Sequence, residues 1–265
     1  MKEAILSCLS DAYPWHQHLH WFDSIDSTND EAKRMALAGA PHGTVLIADH
    51  QTGGHGRLGR SFHSPEGVGI YMTILLRPDC HPQELMHLTC ATAVAMCDAV
   101  EQSAGFRPGI KWTNDLVSGK RKLGGILTGM ALNPNGKVDY AIIGIGINCC
   151  QTAADFPEDI SGMAASLSMI TGNTVDRAKV SAAMMEALWK MDATLLTHKA
   201  PMLERYRRDC ITLHQDVVLV RGEEKRYGHA LDIDEEGALI VRYDEGEIAA
   251  VSSGEISVRG MYGYA

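Results

Sequence analysis

The chain has 265 residues, 45% of them hydrophobic, enough to bury the core of one large domain with a smaller companion. Lys and Arg number 24 against 33 Asp and Glu, a net charge of −9 with no basic tract, which argues against a stable non-specific grip on nucleic acid. No apolar run approaches the roughly 20 residues of a membrane span, and residues 1–20 carry charges, Pro14 and three histidines where a signal peptide needs an apolar stretch.

Seven cysteines are scattered without a Cys-x-x-Cys pair and read as reduced cytosolic thiols, the adjacent Cys149-Cys150 included. His16, His18 and His20 would share one face of a strand, but no further ligand is suggested nearby, so they read as a solvated segment and not as a metal site. Leu19–Ile25 reads as a short strand. Ser27-Thr28-Asn29-Asp30 then caps a helix over Asn29–Gly39 that carries Ala32, Met35 and Ala36. Thr44–Ala48 is a buried strand and Gly69–Leu76 another, closed by Arg77-Pro78. Between Pro82 and about Gly105, Leu85, Leu88, Thr92, Ala95, Met96 and Ala99 recur at helical spacing. Ile110–Trp112, Gly124–Leu132 and Tyr140–Asn148 read as strands, and Asn133-Pro134-Asn135-Gly136 turns the last two into a hairpin. Residues 161–209 return to helix in three pieces: around Ala164–Ile170, from about Val175 to His198, and after Pro201. From about Leu213 short strands alternate with polar glycine turns, the pattern of a small antiparallel barrel. The expected class is α+β, with a domain over 1–211 and an all-β domain over 212–265.

The stretch Gly53-Gly54-His55-Gly56-Arg57-Leu58-Gly59-Arg60-Ser61 matches two phosphate motifs by letter, the dinucleotide fingerprint and, but for Arg60, the P-loop. Both motifs need a helix immediately after the glycines, because its N-terminus supplies the anion site. Here Pro65, Gly67 and Gly69 intervene and a strand begins by Ile70, so neither motif applies. What remains is a glycine-rich loop able to approach a ligand closely, with Arg57 and Arg60 as forked donors to phosphate or carboxylate. A second constellation, Lys111-Trp112-Thr113-Asn114-Asp115 followed by Lys122-Leu123-Gly124-Gly125, sets an amide and a carboxylate between two lysines. Such a set suits a nucleotide whose α-phosphate gains negative charge, with Asp115 as a candidate Mg²⁺ ligand.

Five ordered segments then resemble the biotin protein ligase family: DSTNDEAK at 26–33, QTGGHGRLGRSFHSPEGVGIYMT at 51–73, KWTNDLVSGKRKLGGIL at 111–127, IGIGIN at 143–148 and SGEISVRG at 253–260. The resemblance implies a mixed-sheet catalytic core with flanking helices, which holds biotin and ATP, followed by a small SH3-like β-barrel domain. It implies a biotin–[acetyl-CoA-carboxylase] ligase that makes biotinyl-5′-AMP with release of pyrophosphate. Biotin then passes to a lysine of a biotin carboxyl carrier protein, in the cytoplasm and without nucleic acid or membrane. ATP with Mg²⁺ and biotin are the small molecules required, and no tightly bound prosthetic group is expected.

Carried over by motif, Ser27, Thr28, Asn29 and Gln51 resemble residues around the ureido ring of biotin, with His55, Gly56 and Gly125 on the same side. Lys122 resembles the catalytic lysine at the biotin carboxylate, and Arg57 the loop arginine that retains the acyl-adenylate. Arg60, Phe62, Lys111, Asn114, Asp115, Asn148 and Arg259 resemble nucleotide-side residues. Two positions depart from the pattern: His55 stands where arginine is usual, which makes the loop charge sensitive to pH, and Phe62 stands where tryptophan is usual. About 26 residues precede Ser27, too few for the winged-helix domain of bifunctional members, so the expectation is a monofunctional ligase. Family members occur as monomers and as edge-to-edge dimers, and the reading leans to a homodimer. A lipoate-type ligase of the same fold would lack the arginine loop. A non-catalytic regulator sensing biotinyl-5′-AMP sits poorly with the acidic charge.

Overall fold

Period-two alternation explains how the strands of this protein divide its interior. In the computed structural model, which describes residues 1–221, 224–252 and 257–260, α1 (Lys2–Leu6) buries Ile5, and a 3-10 turn at His16–His18 leads into β1 (Leu19–Ile25). The three histidines therefore do not share a strand face, since only His20 lies on β1. α2 (Thr28–Leu37) starts at Ser27, whose hydroxyl accepts from the Asp30 amide at 3.4 Å. β2 (Thr44–Gln51) runs three residues beyond the expected strand and brings Gln51 to the edge of the site. β3 (Gly69–Leu76) is buried at every position, as its unbroken apolar run requires.

The helix expected from Pro82 is split into a 3-10 turn at Pro82–Leu85 and α3 (Leu88–Ala104), which stops at Gly105 with φ +67°. β4 (Gly109–Lys111), β5 (Asp115–Ser118), β6 (Arg121–Leu132) and β7 (Val138–Asn148) follow. Then come α4 (Glu158–Ser161), α5 (Leu167–Thr171), α6 (Arg177–Thr194) and α7 (Lys199–Asp209).

The first seven strands form one mixed sheet in the order β1-β2-β3-β7-β6-β5-β4, with only β1 and β2 parallel. Val45, Ile47, Ile74, Leu76, Ile143 and Ile145 point into the main core, shared with α3 and α6. Their neighbours Leu46, Leu75 and Ile142 point the other way, against Ala32 and Ala36 of α2. α2 covers only part of that second face. Beyond its N-terminus the floor is made by Gly144 and Gly146 of β7 and Gly125 of β6, which carry no side chains to fill the space.

The remaining strands, β8 (Asp216–Arg221), β9 (Glu224–Ile233), β10 (Leu239–Tyr243), β11 (Ile248–Val251) and β12 (Ser257–Gly260), form an antiparallel sheet in the order β11-β10-β9-β8-β12. It joins the rest through Arg207, whose Nε donates to Asp232 Oδ1 at 2.8 Å, and through Trp112, whose Nε1 donates to Gly237 O at 3.0 Å. No described helix is long and apolar enough to cross a membrane.

Candidate active site

Cross-strand register builds the floor of the site. Tyr71 pairs with Gly146, Gly146 with Gly125 and Gly125 with Asp115, so these residues form one row across β3, β7, β6 and β5 on the same face. Thr73, Gly144 and Leu127 form the next row. A register shift between Leu116 and Val117 lets Lys122, not Leu123, face the cleft. Leu123 turns into the main core instead. Lys122 is pinned by its backbone, donating to Met163 O at 2.7 Å and accepting from the Ala165 amide at 2.9 Å. Its Nζ donates to Asp115 Oδ1 at 2.6 Å, a half-buried pair beside Gly125. A Cβ added at Gly125 would lie 3.4 Å from Lys122 Nζ, so glycine there leaves the ammonium room.

The polar end of the cleft is a hydrogen-bonded cluster at the N-terminus of α2. Gln51 Oε1 accepts from the Thr28 amide at 2.9 Å and is 3.0 Å from the Thr28 hydroxyl, while Gln51 Nε2 donates to Ser64 Oγ at 3.1 Å. Ser64 in turn donates to Phe62 O, tying the helix cap to the far end of the glycine loop. Thr73 Oγ1 lies 2.6 Å from Asn29 Oδ1 and 2.8 Å from Thr28 Oγ1. The Asn29 amide rests directly over Gly144, where a Cβ would fall 2.1 Å from its Oδ1.

The loop folds back across this floor. Phe62 N donates to Gly54 O at 2.9 Å, and a 3-10 turn at Arg57–Gly59 replaces the helix that either phosphate motif would need. The Phe62 ring lies on Gly146, where a Cβ would come within 2.5 Å of it. Arg57 Nη1 donates to Asn114 Oδ1 at 3.0 Å and approaches Thr113 Oγ1 at 3.3 Å. Burial pushes the Arg57 guanidinium below its usual value, Asp115 opposes that shift and Arg60 adds to it. A partly desolvated cation beside a second one is an arrangement that an anionic ligand relieves. His55 Nε2 lies 2.6 Å from Asp30 Oδ2 and so clips the loop to α2. Burial works against ionisation of Asp30, but bonds from His55 and Lys33 outweigh it and hold the carboxyl below its ordinary value.

Ser27, Thr28, Asn29, Gln51, His55 and Gly56 thus share one cleft with Arg57, Arg60, Phe62, Lys111, Asn114, Asp115, Lys122 and Gly125. Asn148 does not line it: its amide donates to Lys122 O at 3.4 Å and Ala165 O at 3.1 Å, because the end of β7 turns its side chain towards those carbonyls. Arg259 falls on β12, but its side chain lies outside the described residues. Tyr71, Trp112, Ile126, Gly144 and Gly146 also line the cleft and were missed from sequence. The glycines at 144 and 146 had a readable signal, since two glycines two apart on a strand leave one face bare.

The sequence comparisons match this geometry. Residues 21–148 fit the biotin/lipoate A/B protein ligase family, and residues 212–259 fit the biotin protein ligase C-terminal domain. The bifunctional ligase/repressor BirA of Bacillus spizizenii is 38% identical over 250 residues, covering 91% of this chain and 74% of that protein. The chain belongs to the biotin protein ligase family. Among family members, the biotin–[acetyl-CoA-carboxylase] ligase of Paracoccus denitrificans is 30% identical over 82% of this chain and 91% of its own. The biotin protein ligase from Aquifex aeolicus, solved in complex with biotin and ATP, superposes with a TM-score of 0.77 at 30% identity, covering 91% and 98% of the two chains. The fold of a biotin protein ligase, a mixed sheet with flanking helices and a separate antiparallel C-terminal sheet, is therefore the fold of this chain.

Proposed function

We propose that this protein is an ATP-dependent biotin protein ligase. Biotin's carboxylate attacks the α-phosphorus of ATP, the bond to the β-phosphate breaks, and pyrophosphate leaves. The amine of a carrier lysine then attacks the acyl carbon of biotinyl-5′-AMP, expelling AMP and forming the amide. The observation that carries this reading is the Lys122–Asp115 pair on a glycine floor, facing Arg57, in a chain of this family.

Lys122 lies between the polar α2 end and the segment bearing Asn114 and Asp115, so its ammonium serves where carboxylate meets phosphate. There it screens repulsion between two anions and stabilises the charge that builds at the α-phosphoryl group. The ureido ring is assigned to Ser27, Thr28, Asn29 and Gln51, with His55 and Gly56 closing over it. Gly144 leaves room for the Asn29 amide at that end, and the apolar remainder of biotin suits the glycine-lined floor beside it. Arg60, Phe62, Lys111, Asn114 and Asp115 are assigned to the nucleotide, and Arg57 to retention of the adenylate. Asn148 is reassigned as a support of the Lys122 backbone.

Among the described residues no group of three or more acidic, histidine or cysteine side chains could cage a metal. Asp115 offers one carboxylate, with Oδ1 already engaged by Lys122. That donor set fits Mg²⁺ carried in on triphosphate oxygens and still holding waters, and when bound the ion neutralises phosphate charge. We place the domain boundary between residues 211 and 212. The carrier is assigned as the biotin carboxyl carrier protein of acetyl-CoA carboxylase, the compartment as the cytoplasm, and the assembly as a homodimer joined through the core sheet. Ultracentrifugation at micromolar concentration tests the last point, and a monomer there removes it.

The decisive experiment is ATP–pyrophosphate exchange with biotin and, in parallel, with lipoate, followed by transfer to an acceptor carrier domain. Exchange that depends on biotin is the expected result. Exchange with lipoate alone identifies the related ligase class, and no exchange with either acid removes the enzymatic reading.

A further inference from the structure

The nucleotide-side wall, Lys111 to Asp115, takes two of its anchors from the C-terminal part of the chain. β4 ends at Lys111 at the outer edge of the large sheet, where it is bridged by Cys210 and the Ile211 amide donates to Ile110 O at 2.9 Å, and the Trp112 amide leaves the ladder. It donates instead to Thr212 Oγ1 at 2.9 Å, and its indole Nε1 donates to Gly237 O at 3.0 Å. Trp112 is 4% exposed and Thr212 6%, so neither donor has water as a substitute partner. Gly237 lies in the turn between β9 and β10, and that turn is braced: Asp234 Oδ1 accepts from the amides of Glu236 and Ala238 at 2.9 and 2.8 Å. Gly237 has φ +86°, and a Cβ there would meet Cys90 Sγ at 2.7 Å, so the turn is seated against α3.

On its other side the same wall bears the reacting groups. Thr113 and Asn114 receive Arg57, Asp115 receives Lys122, and Asn114 exchanges bonds with Ile126 of β6 at 2.9 Å. Trp112 lies two residues from Asn114 and three from Asp115, and between them Thr113 O accepts from the buried Tyr206 hydroxyl at 3.0 Å. The α2 cluster lies at the other end of the cleft, tied to Thr73 of β3 and, through Gln51 and His55, to the loop.

We propose that Thr212 and the Asp234–Gly237 turn are positioning elements for the nucleotide half of the site, so that the C-terminal sheet sets the geometry of Asn114 and Asp115 from behind through Trp112. The inference rests on the biotin ligase reading above. It predicts a split between substrates that general destabilisation does not produce.

The test is Thr212→Val, which keeps shape but removes the acceptor, with Thr212→Ser as the conservative control. In ATP–pyrophosphate exchange, Thr212→Val raises the KM for ATP about five- to tenfold, the effect of one buried donor losing its partner. The KM for biotin stays within about twofold, and Thr212→Ser restores wild-type values. Asp234→Ala loosens the turn from a separate position and gives the same split, which keeps the inference testable if Thr212→Val fails to fold. An unchanged ATP KM in the folded variants overturns it, and so does an equal rise for both substrates or failure of Thr212→Ser to rescue. Each of these requires a wild type that exchanges with biotin. A wild type without exchange instead removes the functional reading, and this inference with it.

Discussion

Lys122 sits where it does because a single register shift in β6 turns it towards the cleft, and because Met163 and Ala165 hold its backbone from the other side. Replacing it with alanine leaves Asp115 without its cation and the α-phosphoryl charge without its main donor. Biotin-dependent pyrophosphate exchange should fall by about 10²–10³-fold while the melting temperature stays nearly constant, as measured by exchange kinetics and calorimetry. The glycines of the floor matter for the opposite reason, by what they leave out. A methyl group at Gly144 would overlap the Asn29 amide, at 2.1 Å from its Oδ1. Gly144→Ala should therefore raise the KM for biotin at least about tenfold, with a smaller effect on ATP. A biotin KM near wild type would show that the ureido group binds elsewhere.

At the scale of elements, the loop over residues 53–64 is the part of the site with the least fixed geometry of its own. The side-chain links that hold it include His55 to Asp30, Arg57 to Thr113 and Asn114, Gln51 to Ser64, and His63 to the Asp155 carbonyl. The cleft beneath it, with Phe62 and Arg57 in its lining, has a free volume of about 180 Å³, less than the roughly 300–1,000 Å³ of most small-molecule pockets. On the proposed reading the loop moves outward to admit an acyl-adenylate and closes again to shield the mixed anhydride from water. Arg57→Gly should still make the adenylate but release it, seen as free biotinyl-5′-AMP and as biotinylation of unrelated proteins. Normal retention would remove the loop from that role. The link to α2 also has a pH sign. The Asp30 carboxyl is held below its ordinary value, so its contribution is complete above the usual carboxylate range and is lost as pH falls through the lowered value. Protection of the amides of residues 53–64, taken relative to their intrinsic exchange rates at each pH, should fall on that descent in the wild type and already be low at neutral pH in Asp30→Ala.

Across the whole molecule, a charged cluster joins elements that are distant in sequence behind the catalytic wall. Arg107, just before β4, donates to Asp98 and Glu101 of α3 and to Asp209 at the end of α7. The Asp209 side chain is only 7% exposed. Burial acts against its ionisation, yet the bonds from Arg208 and Arg107 prevail and keep the carboxyl below its ordinary value. The folded state thus gains stability from Asp209 above the usual carboxylate range and loses it as pH falls through the lowered value. Asp209→Asn should lower the melting temperature by about 4–8 °C at pH 7, with the gap to wild type narrowing below about pH 4. A gap that stays constant with pH would mean that the cluster contributes packing alone.

Much of this was legible in the residues. Periodicity marks β1, β3, α3 and the long strands of the hairpin, and Pro65, Gly67 and Gly69 exclude a helix after the glycine loop. The five ordered motifs also named nearly all of the cleft, because the residues that touch ligand are bound to their types by chemistry. Other features depended on partners far away in the chain. β5 is a strand only because β4 and β6 flank it, and four residues in a charged stretch carry no period of their own. The end of α3 was visible in Gly105, but not the break that starts it after Met86. Asn148 sits in a motif yet spends its amide on two carbonyls, and Trp112 serves a turn 125 positions away. Residue type and motif order along the chain marked the candidate residues of the site. Tertiary structure alone decided which face each one takes and what holds it there, since register, bulges and buried hydrogen bonds are settled between segments and not within them.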